Sequence, residues 1–326
     1  MAKFYYGGQA VIEGVMMRGQ RHMAVAVRAP DGDIVVHQEP LKSAIYTSPV
    51  MKMPFLRGLV ALWDALGLGM KALMFSANIA ADEEETKDEA RKTKEFEAQS
   101  DINPQSKIRN PKSNEAQSFG AVGWASIAFA LALMIGIFFV LPVLAAGLFG
   151  IVTGNDSSLA HNLVEGGVRL ALFIGYIWAI GFMPDIKRVF GYHGAEHKTI
   201  NAYEAGAELT PERVQSFTLL NPRCGTTFLL IVLLLATLLF VAIGKLPFLI
   251  MLASRIVLVP LVAAFAYELI RLMANLYGNP VVRAIIAPGL ALQKMTTRPP
   301  DLRMIEVGIA ALNAVLAADG RIESKT

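Results

Sequence analysis

The chain has 326 residues, 54% of them hydrophobic and only 17% charged, with a net charge of +3. A soluble domain averages about 45–50% apolar and about 25% charged residues, so the surplus belongs in lipid or in an unusually large core. The small net charge, with no Lys/Arg-rich patch interleaved with aromatics, argues against a nucleic-acid partner, and the single cysteine, Cys224, rules out an internal disulfide. Met1 to Gly14 has no basic stretch followed by an apolar one, so no cleaved signal peptide is expected there.

Residues 1–50 read as a small cytosolic β segment. Gln9–Met17 is mostly apolar, and Met23–Arg28 and Ile34–Glu39 are β-rich runs. Between the last two, Ala29-Pro30-Asp31-Gly32-Asp33 has turn composition, which predicts a hairpin. Gly7, Gly8, Gly14 and Gly19 surround the first run and permit turns or close backbone approach. Residues 51–81 hold an apolar helix, Phe55 to Ala80, in which Arg57, Asp64, Lys71 and Asn78 recur at spacing seven. A continuous polar stripe predicts a helix that lies on the membrane or re-enters it, rather than one that spans alone. Residues 82–118 open on Asp82-Glu83-Glu84-Glu85 and contain almost no large apolar residues, so they read as a disordered charged linker.

Residues 119–272 carry four spanning candidates: Ala121–Phe149, Leu163–Met183, Thr226–Ile243 and Phe248–Leu272. Each fits the requirement for about 20 apolar residues. The loop 150–162 has no Lys or Arg and the turn 244–247 only Lys245, whereas 82–118, the loop 184–225 and the tail after Leu272 are all rich in both. That alternation places both termini and the 184–225 loop in the cytoplasm and the chain in the plasma (inner) membrane. Residues 273–326 form a cytosolic tail whose Leu302–Ala318 is an amphipathic helix, with Ile305, Ile309, Leu312 and Leu316 on one face. The predicted fold is an α-helical polytopic membrane protein of about four spans, with an N-terminal β segment and cytosolic helices. No internal repeat points to an inverted-repeat transporter.

The sharpest chemical signal is His193-Gly194-Ala195-Glu196-His197 in the most polar loop. On a helix, i and i+4 project from one face with i+3 beside them. Two imidazoles so spaced can grip a divalent metal, most simply Zn²⁺, with Glu196 as general base. A polar surface helix with solvated histidines has the same pattern. A third ligand is required, and the candidates are Glu204, two turns beyond His197, with Asp185, Cys224, Glu13, His22 and Glu268. Glu204 reads equally well as a solvated carboxylate. Asn221-Pro222-Arg223-Cys224-Gly225-Thr226 reads as a helix start, with Asn221 as cap and Cys224 in the first turn. The positive helix end and Arg223 favour its thiolate, as ligand or as nucleophile; a small residue packed at a helix start is the plain alternative. Glu13 is a lone carboxylate in an apolar run, open to a metal, to Arg18 or to water. Within the spans, Arg255 is placed to snorkel outward and Glu165 to pair with Arg169.

Three runs carry a family likeness: Gly7-Gly8-Gln9-Ala10-Val11-Ile12-Glu13-Gly14-Val15-Met16-Met17-Arg18, Tyr192-His193-Gly194-Ala195-Glu196-His197-Lys198, and Asn221 to Thr226. Over residues 1–80 and 119–320 the chain resembles the YqhQ-like family of bacterial membrane proteins, a domain of unknown function. The resemblance implies a metal-dependent enzyme. The family pattern often carries His where this chain has Asn201, which removes one potential ligand.

These readings lead to a membrane-embedded metal-dependent enzyme, a hydrolase at the cytosolic face. His193, His197 and Glu204 would hold the metal, and Glu196, Glu13 and Cys224 would serve catalysis. Its partners would be the lipid bilayer, a lipid or membrane-peptide substrate arriving laterally, and further copies of the chain as a homo-oligomer. The competing readings are a non-enzymatic scaffold, channel or assembly factor, and a Cys-dependent enzyme built on Cys224 with His193 or His197.

Overall fold

A computed structural model describes residues 6–41, 53–97 and 121–321. The expectations for residues 98–118 of the linker, and for the parts of the two terminal segments beyond these bounds, lie outside the described residues.

The β segment is a four-stranded antiparallel meander in the order β1-β2-β3-β4: β1 Gly7–Val11, β2 Gly14–Arg18, β3 His22–Arg28 and β4 Ile34–Pro40. The predicted hairpin is β3–β4, closed by Arg28 paired with Ile34. Val11 pairs with Gly14, leaving a two-residue turn in which Glu13 adopts the left-handed region at φ 51°. The helices are α1 Leu56–Glu97, α2 Ala121–Ile135, α3 Leu141–Thr153, α4 Ser158–Ile180, α5 Pro184–Glu204, α6 Pro211–Gln215, α7 Gly225–Ile243, α8 Phe248–Asn275, α9 Pro280–Thr296 and α10 Leu302–Ala318. A π-helical segment, Gly136–Val140, joins α2 to α3.

Side chains alternate across a strand, and here both faces of the sheet are covered. Val15, Met17, Ala24 and Ala26 pack on Tyr192 and Ile200 of α5 and on Val307, Leu312 and Val315 of α10. Met16, Met23, Val25 and Val27 face the other way, onto Leu68, Ala72, Phe75 and Ile79 of α1. Each such large side chain taken fully out of water contributes about 1.5–3 kcal/mol. Asp319, at the end of α10, accepts from the Gln20 amide at 2.6 Å and the Arg21 amide at 3.1 Å, and its Oδ1 lies 3.1 Å from His22 Nδ1. The Arg21 guanidinium donates to the Asp319 carbonyl at 2.9 Å. The turn before β3 is thereby fastened to the last helix.

Among the described residues, five helices are long and apolar enough to cross a membrane: Leu56–Ala80, Ala128–Thr153, Ser158–Ile180, Gly225–Ile243 and Phe248–Asn275. That is one more than the four spanning candidates of the sequence, the addition being α1. Its first turn sits on α8, where Arg57 forks onto Glu268 and Phe55 stacks on Phe265 at 6.0 Å. α1 then runs on to Glu97, through the opening of the segment expected to be disordered. Ala, Glu, Lys and Arg dominate residues 81–97 and are strong helix formers, which explains the continuation.

One expectation for the spans is corrected. Arg255 does not snorkel: it is fully buried, and it reaches across to Glu165 with Nε at 2.8 Å and Nη2 at 2.7 Å. Arg169 shares the same carboxylate at 2.6 Å and gives its Nε to the Phe138 carbonyl at 2.9 Å. Phe138 lies in the π segment, and such a segment disturbs the i→i−4 ladder and leaves carbonyls open to other donors. A break also separates α4 from α5. The break falls at Gly181–Met183, and α5 starts at Pro184 and runs unbroken through Gly191. Proline is well suited to the first helical position because its missing N–H has no intrahelical partner there.

Candidate functional site

α5 is the buried axis of the site. Residues 190–192 and 194–200 are buried and His193 is half-buried. A Cβ on Gly194 would come within 2.1 Å of the Arg298 carbonyl, so glycine is what lets the 297–300 segment cross the helix. That crossing brings the Thr296 carbonyl 2.8 Å from His193 Nδ1. Similarly, the Leu219 carbonyl meets His197 Nδ1. A carbonyl only accepts, so both Nδ1 atoms carry the proton and both Nε2 atoms are left as lone-pair donors. One ligand atom from each of His193, His197 and Cys224 lies within 4.8 Å of the other two. Cys224 Sγ is 3.3 Å from His193 Nε2 and 3.2 Å from Thr226 Oγ1. In a tetrahedral zinc site, bond lengths of about 2.0–2.1 Å to N and about 2.3 Å to S set N and S about 3.6 Å apart, so the 3.3 Å between Cys224 Sγ and His193 Nε2 needs little adjustment.

Cys224 is the N-cap of α7, where Asn221 was expected; Asn221 Oδ1 instead accepts from the Arg223 amide at 3.0 Å. Gln293 on α9 fixes this corner, accepting from the Asn221 amide at 3.0 Å and donating to Thr227 Oγ1 at 2.8 Å. The loop before it is held by a row of donors on α5. Lys198 reaches the Gln215 and Phe217 carbonyls, and Asn201 the Thr218 and Leu220 carbonyls at 2.9 and 3.2 Å. Asn201 therefore ties down the loop that supplies the His197 carbonyl contact.

Glu196 is buried with an oxygen 3.5 Å from His197 Nε2. Burial disfavours charge on His197, but the Glu196 carboxylate and Cys224 outweigh it and hold the imidazolium pKa above the ordinary value. Burial pushes the Lys198 ammonium down. On the far side of Glu196 lies Gly8 of β1, where a Cβ would stand 2.6 Å from Glu196 Cγ and 2.8 Å from the Met16 carbonyl. The close approach that the glycine-rich N-terminus permits is thus made to this carboxylate.

Of the residues singled out in the sequence, the structure gathers His193, His197, Cys224 and Glu196. It does not gather the others. Glu13 is forked by Arg188 and accepts from the Tyr192 hydroxyl at 3.2 Å. Glu204 is engaged by Arg223, His22 by Asp319 and Glu268 by Arg57. Asp185 sits in the first turn of α5, where a carboxylate complements the helix dipole. Sequence reasoning missed Thr296, Gln293 and the whole of α9. The signal was present in Asn279-Pro280, since Asn279 caps α9 by accepting from the Val281 amide at 2.8 Å and Pro280 takes the first helical position.

The profile of a family described as "Protein of unknown function (DUF1385)" matches residues 53–318. The chain belongs to the DUF1385 family. Within it, the chain is 32% identical to "Uncharacterized protein YqhQ" of Bacillus subtilis (strain 168) over 322 residues, which is 98% of this chain and 94% of that relative. The YqhQ-like likeness read from the three motifs is therefore a family relationship over nearly the full length. No solved structure matches.

Proposed function

We propose that the chain is a metal-dependent membrane enzyme, a hydrolase, with its site at the cytosolic face of the plasma membrane. The observation that carries the reading is the convergence of His193, His197 and Cys224 on one point with both imidazoles locked by backbone carbonyls. Holding Nδ1 this way is how proteins orient histidine ligands, and the mixed N/S donor set suits zinc. A bound divalent ion would supply Lewis-acid polarisation of a carbonyl or phosphoryl oxygen. Glu196 is the group placed to take the proton from an attacking water, and Gly8 lets β1 pack closely against its side chain. Glu13 and Glu204 drop out of the ligand set because arginines already hold them. The basic loops support a topology with both termini and the 184–225 loop in the cytoplasm. Cys224, at the start of α7, then stands at the membrane level, where a lipid or membrane-peptide substrate arrives laterally.

The test is metal content of the purified full-length protein in detergent. About one zinc per chain is expected, lost in His193→Ala plus His197→Ala and sharply reduced in Cys224→Ser. Absence of bound metal in a folded protein, or stoichiometric metal that survives the double substitution, overturns the reading. The 3.3 Å contact between Cys224 Sγ and His193 Nε2 also favours a second reading, a thiol nucleophile with a histidine base. It predicts selective alkylation of Cys224 that His193→Ala slows and that a chelator leaves unchanged.

A further inference from the structure

Counting crossings constrains where α1 can lie. The sheet packs directly on α5 and α10. Among the described residues, two spans lie between the sheet and α5, Ala128–Thr153 and Ser158–Ile180, and two more between α5 and α10, Gly225–Ile243 and Phe248–Asn275. Even numbers keep the sheet, α5 and α10 on one side. A crossing by α1 makes the first number odd and puts the sheet across the bilayer from the helices that it packs against. Length and composition permit α1 to span; contact with the sheet does not.

The faces of α1 say what it does instead. Leu68, Ala72, Phe75 and Ile79 are spent on the sheet. Arg18 pairs with Asp64 at 3.3 Å and Glu39 with Lys71 at 2.8 Å. The opposite face exposes Trp63, Leu66, Met70, Leu73 and Met74, an apolar stripe at helical spacing with Trp63 at its leading end. This stripe continues a surface that faces lipid: Phe55, at the head of α1, stacks on Phe265 of α8, which is itself exposed along with Leu261. Tryptophan is favoured at the headgroup level, and a helix apolar on its outward face lies in the interface.

We propose that α1 is a monolayer helix, lying in the same leaflet as the α5 side of the protein, with Trp63, Leu66, Met70 and Met74 sunk among lipid chains and the sheet carried on its back. That this leaflet is the inner one rests on the topology proposed above; the placement of α1 does not depend on it, nor on the metal.

The test uses the full-length chain in phosphatidylethanolamine–phosphatidylglycerol vesicles, with a photo-crosslinker introduced as Leu66→p-benzoylphenylalanine, Met70→p-benzoylphenylalanine or Lys71→p-benzoylphenylalanine. All three positions are exposed, so folding is spared. Lipid adducts several-fold more abundant at 66 and 70 than at 71 are expected. Adducts at 66 and 70 to a second copy of the chain, no lipid adduct there, or equal lipid adducts at all three positions overturn the proposal. Protease cleavage of terminal tags in sealed vesicles gives an independent arm. Tags cut from the same side agree with it, and tags cut from opposite sides sink it. Both tags on the outer side would remove the assigned topology while leaving the monolayer helix standing.

Discussion

His197 is where proton and cation compete. Its Nδ1–H is committed to the Leu219 carbonyl, so Nε2 is the only nitrogen that a metal can use, and it is also the nitrogen that faces Glu196. Burial opposes an imidazolium there, yet Glu196 and Cys224 favour it enough to raise the pKa. A raised pKa means that the ring stays protonated to higher pH, and a proton on Nε2 must leave before a ligand bond forms. Zinc affinity should therefore fall as pH drops through and below the raised imidazole pKa, by about tenfold per pH unit for each proton displaced. Competition with a chromophoric chelator between pH 5 and 8 reads this directly, and a flat profile would remove His197 from the ligand set. Glu196→Gln takes away a cause of the raised pKa and should shift the fall to lower pH.

At the scale of elements, α4, α8 and the π segment are joined by one carboxylate between two guanidiniums. Arginine does not give up its proton in proteins, so the charge count decides what each substitution does. Arg169→Met leaves the Glu165–Arg255 fork intact and neutral. Glu165→Gln leaves two buried arginines facing each other, and Arg255→Met unpins α8 from α4 and strips Glu165 of its two-pronged partner. Breaking a buried pair costs about 3–5 kcal/mol, so thermal unfolding in detergent should rank Glu165→Gln and Arg255→Met well below Arg169→Met, itself nearest the parent. The sequence displayed these three residues as costly charges in apolar helices, and it correctly paired Glu165 with Arg169 because i and i+4 share a helix face. It could not display Arg255 as the partner, since spacing along one helix says nothing about which other helix lies alongside. Glu13 and Glu204 were misplaced for the same reason: Arg188 and Arg223 claimed them through tertiary contacts. His193 and His197 share one helical face and could be read; that Cys224 joins them depends on α9 and the Leu219 loop folding over α5, which hydrophobic periodicity does not record.

At the scale of the whole molecule, the turn before β3 and the end of α10 are held together by Asp319, whose carboxylate and carbonyl meet Gln20, Arg21 and His22. Asp319 is buried, and hydrogen bonds to a charged group contribute about 1.5–3 kcal/mol. Asp319→Ala should lower stability by about that amount, measured by denaturant unfolding of the purified protein. Proteolysis should then cut first in the strands rather than in the spans, because α10 covers much of one face of the sheet. The spans and α10 were legible from length and period alone. The sheet's double cover was not, because both faces read simply as apolar. This arrangement also sets an order of events during synthesis. The strands leave the ribosome before the spans, but one of their covering surfaces, residues 302–318, is made after them. Every span between must be inserted before the sheet can close. Until then Val15, Met17, Ala24 and Ala26 have no α10 to cover them. A nascent chain that stops short of α10 is left with an open, sticky sheet that quality-control proteases can recognise. The sheet is thus closed only on chains synthesised through α10.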